Sequence, residues 1–295
     1  MSSIVTRRRL RLGMSASRRL GQGAAYVLIA GFLVFSLMPL AWMVSTSLKT
    51  PEQVVVTVPI QWIPKPLYPQ NYAKGWLAQP WLQYLSNTLQ WAGGTTIGLL
   101  ISVTLAAYAF ARMRFPGREG LMFFNIVLML LPGQVTMIPV FLLNSRLGFV
   151  GTWKPVLVPC FLAAAPQLVF MMRQFFRTIP MELSEAARID GCSEIGIIWH
   201  VILPLTRPAL AVLVMGNVMW AWSDLLTSLI YFRDKAHMTL VLGMQTFIYN
   251  TGHGTLVVWG PLMAMAVVWA LPMVVLFYLT QRYFTQTFTL AGITG

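Results

Sequence analysis

Residues 178–210 read TIPMELSEAARIDGCSEIGIIWHVILPLTRPAL and separate two segments that are apolar enough to cross a bilayer. Pro180 suits a first helical position and Gly191 supplies a left-handed stop, which together predict a short helix over about 181–190. Ser193 is suited to cap a second helix. Its apolar positions recur at helical spacing, and they are Ile195, Ile198, Trp199 and Ile202. We refer to residues 178–210 as the elbow, a predicted helix-turn-helix with an apolar face.

The elbow resembles the E-A-A-x-x-D-G…L-P-x-x-x-P signature of permease subunits of bacterial ABC importers. The residues that carry the resemblance are Glu185, Ala186, Ala187, Asp190, Gly191, Leu203, Pro204 and Pro208. The sequence of the elbow is most similar to that of the maltose-type carbohydrate group. A short motif alone would be a weak signal, but these fixed spacings agree over about 25 residues.

The resemblance implies a role for the elbow and a set of partners. In that family the elbow docks into a groove on an ATPase subunit, with Glu185 as the charged contact and Gly191 as the turn. The implied assembly contains a second permease, usually a different chain, two copies of an ATP-binding subunit that use ATP and Mg, and an extracytoplasmic solute-binding protein. The implied solute is a sugar or a related polyol or glycerol-phosphate-type compound. This chain itself is expected to bind no cofactor and to catalyse no covalent chemistry.

Composition independently predicts an all-α polytopic membrane protein. Hydrophobic residues make up 57% of the chain and charged residues only 10%, against about a quarter in soluble proteins. Six stretches approach or exceed the ~20 apolar residues that a span requires. They are 24–45, 89–111, 121–143, 155–172, 209–231 and 256–280. The predicted organisation is a basic N-terminus over 1–23 and a transmembrane domain over 24–295, with the elbow between the fourth and fifth spans. Prolines within the spans predict kinked helices.

The distribution of basic residues predicts the orientation. Placing the N-terminus inside and threading six spans puts fourteen of the 21 basic residues on the cytoplasmic side. These are Arg7, Arg8, Arg9, Arg11, Arg18, Arg19, Arg112, Arg114, Arg118, Arg173, Arg177, Arg188, Arg207 and Arg282. The prediction is a multi-pass protein of the cytoplasmic (inner) membrane with both termini and the elbow inside. The arginines flank spans and face anionic lipid, so nucleic acid is not expected as a partner.

The chain lacks the residues for hydrolysing ATP. A phosphate-binding loop needs Gly-Lys-Ser/Thr, and no lysine here follows a glycine. Cys160 and Cys192 lie in different predicted environments, and the histidines lack metal-ligand spacing. Energy must come from a partner or from a gradient. The alternatives to an ABC sugar permease are therefore an ATP-independent channel or gradient-driven carrier, or an ABC permease for a non-carbohydrate solute.

Two further groups are candidates for contact with solute or partner. Asn217, Trp220 and Asp224 fall at i, i+3 and i+7 on the fifth predicted span, a stripe that would either line a pathway or form a polar helix contact. Between spans five and six, the segment 233–256 would reach the solute-binding protein or cap the bundle. Its candidate contacts are Phe247, Ile248 and Tyr249.

Overall fold

The protein was analysed as a computed structural model. It describes the backbone of residues 2–54, 61–232, 234–252 and 258–292, and the side chains of 21–54, 61–232, 234–249 and 258–281. Regular structure in these ranges is helical throughout. The α-helices are Ser2–Ser47, Pro51–Val54, Gln70–Leu77, Trp81–Arg112, Arg118–Met129, Gly133–Arg146, Lys154–Phe161, Pro166–Thr178, Met181–Ile189, Glu194–Ile197, Leu203–Leu205, Arg207–Ser223, Leu225–Tyr231, Leu240–Gly252 and Trp259–Gly292. A π-helical turn, Ile198–Ile202, lies within the elbow.

The predicted all-helical membrane fold is confirmed. In the described part of the chain, four segments are long and apolar enough to span a bilayer: Gly21–Ser47, Trp81–Arg112, Lys154–Thr178 and Trp259–Gln281. Two bent helix pairs raise the number to as many as six. The predicted first and second spans lie within longer helices, because a purely apolar criterion leaves out the more polar turns at the helix ends. Helix Trp259–Gly292 begins three residues after the start of the predicted sixth span, 256–280, and extends beyond its end; residues 256 and 257 lie outside the described residues.

The predicted third span, 121–143, is not one continuous helix. Helices Arg118–Met129 and Gly133–Arg146 meet at an angle of 104°. Pro132 stands between them with an extended ψ of 130°. Because proline has no backbone N–H and clashes with the preceding turn, the first helix ends before it and a new one starts after it.

The predicted fourth and fifth spans also differ from the sequence boundaries. The fourth, 155–172, is interrupted after Phe161, where Ala163 has a φ of +55°, and then continues to Thr178. The fifth, 209–231, divides at Asp224, whose carboxylate caps a new helix over Leu225–Tyr231. Both breaks depend on local hydrogen bonding and backbone dihedrals, which hydropathy does not detect.

The chain divides into two compact units, one of residues 76–255 and 268–295 and the other of 1–75 and 256–267. In the first of these the helix Trp81–Arg112, here called the central helix, packs against Lys154–Phe161, Pro166–Thr178, Arg207–Ser223 and Leu240–Gly252. Its elbow-proximal end forms a core together with buried residues of helix Pro166–Thr178, the elbow and helix Arg207–Ser223. This core includes Val103 and Ala107 of the central helix, and Met172, Phe176, Ile197, Ile202 and Leu213 of the other segments.

Small residues let the central helix approach its neighbours closely. A Cβ on Gly94 would lie 2.6 Å from Leu157 Cδ2, and one on Gly98 would lie 2.8 Å from Phe161 Cδ2. Ser102, four residues further on, donates a hydrogen bond to the Cys160 carbonyl. Close backbone approach of this kind is the usual basis of helix association in membranes, where apolar burial gives no advantage over lipid.

In the other unit, the first span ends in a tight turn over 47–50. The buried Asn71 Nδ2 donates to the carbonyls of Ser47 (3.0 Å) and Lys49 (2.8 Å). A Cβ on Gly260 would lie 2.5 Å from Asn71 Nδ2, so only glycine permits helix Trp259–Gly292 to begin beside this amide. The turn is therefore fixed by specific hydrogen bonds.

Candidate functional site: the elbow and the fifth span

The first elbow helix, Met181–Ile189, begins and ends at the residues that the sequence indicates. Pro180 has a ψ of 139° and is the N-cap rather than the first helical residue, a one-position correction to the prediction. Gly191 has a φ of +79°. Its N–H donates to Arg188 O, and Cys192 N–H donates to Ala187 O. These bonds close the helix in the left-handed manner that glycine makes accessible.

The second elbow helix differs from the regular helix predicted. Ser193 Oγ accepts a hydrogen bond from Gly196 N–H at 3.2 Å, as expected of an N-cap. The chain then forms the π-helical turn Ile198–Ile202, in which Leu203 N–H donates to Ile198 O. Pro204 follows directly and has no N–H to donate, which favours the change of register.

The π turn divides the predicted apolar face of the elbow. Ile198 and Ile202 are buried in the core, whereas the side chains of Ile195 and Trp199 are 64% and 65% exposed. Ile189, beside the Gly191 turn, is 87% exposed. We call Ile189, Ile195 and Trp199 the exposed elbow residues. Three large apolar side chains in contact with water on one short loop are typical of a protein-docking surface.

The other family-matching residues divide between the surface and the core. Glu185, Ala186, Asp190 and Pro204 are exposed. Ala187 and Leu203 are partly buried and pack against the core. The EAA segment thus presents Glu185 to solvent on a helix whose other side is held by the protein.

An ion pair fixes the two elbow helices to each other. Arg188 Nε lies 2.7 Å from Glu194 Oε1, and Tyr108 on the central helix donates to the same carboxylate. The hydrogen bond to Glu194 raises the pKa of Arg188 above its ordinary value. Because both groups are partly exposed, the pair contributes modestly to stability, and its main effect is to orient the helices.

A buried arginine joins the elbow to the central helix. Arg112, the last residue of that helix, is 6% exposed. Its Nη2 donates to Phe176 O at 2.7 Å and to Ile179 O at 2.6 Å. Both carbonyls lie at the C-terminal end of helix Pro166–Thr178, where carbonyls lack the regular helical donor. Phe176 O also accepts a hydrogen bond from Ile179 N–H at 3.4 Å. The guanidinium thus anchors the segment that enters the elbow. In the sequence, Arg112 indicates only the cytoplasmic end of a predicted span.

The fifth-span stripe does not act as one surface. Asn217 is 7% exposed, and its Nδ2 donates to Thr95 Oγ1 at 2.9 Å and to Thr96 Oγ1 at 2.8 Å. This is the interhelical polar contact that the sequence left open as an alternative. Trp220 is 46% exposed and lies edge-to-face against Trp91, with ring centroids 5.5 Å apart.

Trp220 and Asp224 both line an open cavity of about 320 Å³. Asp224 Oδ1 accepts a hydrogen bond from Thr227 N–H at 3.1 Å, so its carboxylate is held in place by the helix that it caps. The cavity lining also includes Gln134 and Thr136 of helix Gly133–Arg146. An aromatic face beside a carboxylate and an amide is a combination suited to polyhydroxylated solutes.

We expect Asn217→Leu to reduce the amount of assembled permease. The substitution leaves the two threonine hydroxyls without their amide donor, at a cost on the order of 1 kcal/mol for an interhelical contact in a membrane. Assembled complex and solute uptake should be measured side by side, with Trp220→Ala as the comparison at the exposed position. Normal assembly with lost uptake in Asn217→Leu would assign Asn217 to the pathway instead.

The segment between the fifth and sixth predicted spans contains a helix, Leu240–Gly252, rather than an open loop. Phe247 is buried, with its ring centroid 6.0 Å from that of Trp81. Ile248 and Tyr249 are exposed, Tyr249 to 61%. Only the latter two present side-chain surface to a partner. Among the described residues no group of three His, Cys, Asp or Glu side chains is placed to hold a metal ion.

Together the fold and the elbow define a multi-pass helical membrane protein with a rigidly held polar insert. Residues 94–289 match the family model described as the binding-protein-dependent transport system inner membrane component. The chain belongs to this family and is an ABC importer permease.

Named relatives agree with this assignment. The chain is 34% identical over 199 residues to the arabinooligosaccharides transport system permease protein AraQ of Halalkalibacterium halodurans, covering 68% of this chain and 69% of that protein. It is 30% identical over 266 residues to the sn-glycerol-3-phosphate transport system permease protein UgpE of Yersinia enterocolitica, covering 88% and 92%.

The fold is similar to that of a chain in the crystal structure of a bacterial ABC transporter involved in the import of the acidic polysaccharide alginate. The TM-score is 0.81 at 22% sequence identity, with 91% of this chain and 98% of that chain covered. At this identity the likeness concerns the fold alone.

Proposed function

We propose that this permease forms half of a translocation pathway and is driven by a separate ATPase that docks on the elbow. The observation that carries the proposal is the exposure of Ile189, Ile195 and Trp199 on a loop whose backbone is firmly held. An exposed apolar surface on a rigid support suits a docked partner better than it suits water. Glu185, exposed on the neighbouring helix, adds a charged contact at that interface.

The anchors of the elbow support transmission of movement. The Arg188–Glu194 pair ties the two elbow helices together, and Tyr108 and Arg112 tie them to the central helix. A partner that moves the elbow would therefore move the central helix with it, rather than bending a loop. Rigid-body movement of packed helices is the means by which alternating access is achieved in transporters.

The remaining partners follow from the family. A binding-protein-dependent system requires a solute-binding protein outside the membrane, and Ile248 and Tyr249 are candidate contacts for it. A second permease, usually a different chain, completes the pathway, and two ATP-binding subunits hydrolyse ATP with Mg. The proposed topology places both termini and the elbow in the cytoplasm, as the distribution of arginines predicts.

The proposed solute is a sugar or a glycerol-phosphate-type compound. Relatives named for arabinooligosaccharides and for sn-glycerol-3-phosphate support this class. Within this chain, Trp220 and Asp224 are the pathway candidates, because both line the cavity of about 320 Å³. Asn217 is instead proposed to hold the central helix against the fifth span.

A photo-crosslinking amino acid at Ile189 tests the docking proposal. In membranes that contain the complete transporter, we expect an adduct with the ATP-binding subunit, because the native side chain already points into solvent. The same amino acid at Leu82, an exposed position at the far end of the central helix, is the matched control and should give no such adduct. Equal crosslinking from both positions, or none from Ile189 in a transporter that is active, would contradict the proposal.

A further inference from the structure

A buried lysine without a carboxylate partner lies just past the end of the first span. Lys49 is 2% exposed, and its Nζ lies 3.7 Å from the centroid of the Trp42 ring. None of the ion pairs among the described residues includes this amine. Burial lowers the pKa of Lys49, as expected for an ammonium group withdrawn from water without a counter-charge. The aromatic ring offsets only part of that cost.

A second polar group beside Lys49 is also left without a partner. Thr46 is 5% exposed, and its Oγ1 is buried with no hydrogen-bond partner. Other helical threonines in this protein, such as Thr88 and Thr95, bond to the carbonyl four residues earlier. An unpaired buried hydroxyl is costly, so a ligand that accepts a hydrogen bond from it would be bound favourably.

Thr46 and Lys49 both line one cavity of about 310 Å³. It is lined by Trp42, Thr46, Lys49, Val54, Trp259 and Met263. These lining residues supply one cation and one hydroxyl, with indole rings as apolar walls, and they include no acidic side chain. The chemistry favours a ligand with a compact anionic group and a small apolar or polyol body.

The position of Lys49 is fixed before any ligand arrives. Asn71 holds the carbonyls of Ser47 and Lys49, and Tyr68 N–H donates to Leu48 O at 2.9 Å. A turn that is held at three consecutive residues loses little entropy on binding, which favours affinity.

We propose that this cavity is a phosphate-binding site, in which Lys49 supplies the charge and Thr46 donates a hydrogen bond. The body attached to the phosphate would lie against Trp42 and Trp259. A lysine ammonium group binds phosphate as a point charge, and indole rings accommodate glycerol or acyl carbons. The phosphate can belong to a soluble phosphorylated solute or to a phospholipid headgroup. The binding site itself is argued from the cavity alone. The side of the membrane on which it opens rests on the proposed topology and function.

Binding measurements on the purified complete transporter test the site. Equilibrium binding of radiolabelled sn-glycerol-3-phosphate, with glycerol as the phosphate-free comparison, reports on a soluble ligand. Native mass spectrometry with phosphatidylglycerol, compared with diacylglycerol of the same chains, reports on a lipid. We expect Lys49→Met to weaken binding of one phosphate probe by about tenfold or more, as loss of a charge-assisted contact implies. Lys65→Met removes the same charge from an exposed position and is the matched control.

Thr46→Val keeps the test decisive if Lys49→Met fails to assemble. The native hydroxyl has no partner, so the substitution should leave assembly unchanged and still weaken phosphate binding severalfold. If the variants lose only sn-glycerol-3-phosphate binding, the ligand is a soluble solute. If they lose only phosphatidylglycerol binding, the ligand is a phospholipid headgroup. Absence of phosphate-dependent binding in both arms, or equal binding by Thr46→Val and the parent protein, would overturn the proposal. Neither result depends on docking at the elbow, which the Ile189 crosslink tests separately.

Discussion

The Ile189→Asp variant is expected to assemble at the parental level and to lose most solute-stimulated ATP hydrolysis. Ile189 is 87% exposed, so it contributes little to the fold, and a charge there costs the isolated permease almost nothing. At a docked apolar surface the same charge would be buried without a partner, at a cost of several kcal/mol. The measurement is ATP hydrolysis by the purified transporter with and without loaded solute-binding protein.

Gly120→Asp is the matched control for this substitution. Gly120 lies in another predicted cytoplasmic segment, nothing lies within 4 Å of a Cβ built there, and the first turn of a helix tolerates an acidic residue. We expect full stimulation in this control. If Ile189→Asp is equally well stimulated, the exposed elbow residues do not form the ATPase contact.

Arg112→Met is expected to lower both thermal stability and coupling. The guanidinium donates to two carbonyls, Phe176 O and Ile179 O. Methionine removes both bonds, leaving Ile179 O without this donor and Phe176 O with the 3.4 Å bond from Ile179 N–H. A buried carbonyl that loses its donor costs about 1–3 kcal/mol. The entry to the elbow would then lose its anchor to the central helix, so ATP hydrolysis should respond less to solute even in the assembled fraction.

Two measurements test the role of Arg112. They are the thermal midpoint of the purified complex and the ratio of its ATP hydrolysis with and without loaded solute-binding protein. Arg177→Met removes the same charge from an exposed position on the adjoining helix and should change neither. A midpoint in Arg112→Met equal to that of this control would show that the two hydrogen bonds are not required for stability.

Much of the elbow could be predicted because its determinants are local. Pro180, Gly191 and Ser193 each act through backbone dihedrals or hydrogen bonds within a few residues. The division of its apolar face could not be predicted from a regular helical period. The π turn changes the spacing between Ile195 and Ile202, so that one becomes exposed and the other buried.

Contacts between distant segments could not be predicted from sequence patterns. Asn217 bonds to Thr95, and Arg112 bonds to Ile179, through approaches that only the packed helices create. Two features of the sequence do indicate a helix break and a close helix contact. Pro132-Gly133 in the middle of an apolar stretch is a break signal, and the spacing of Gly94, Gly98 and Ser102 is typical of a close helix contact.

Measuring the energy source of transport distinguishes an ATP-driven permease from a carrier or a channel. The complete transporter should be reconstituted in proteoliposomes with its solute-binding protein, and uptake measured with ATP and Mg on the elbow side or with an imposed ion gradient alone. We predict accumulation of solute that requires ATP hydrolysis and is unaffected by the gradient. Accumulation driven by the gradient without ATP, or equilibration without either, would identify a carrier or a channel and would contradict this prediction.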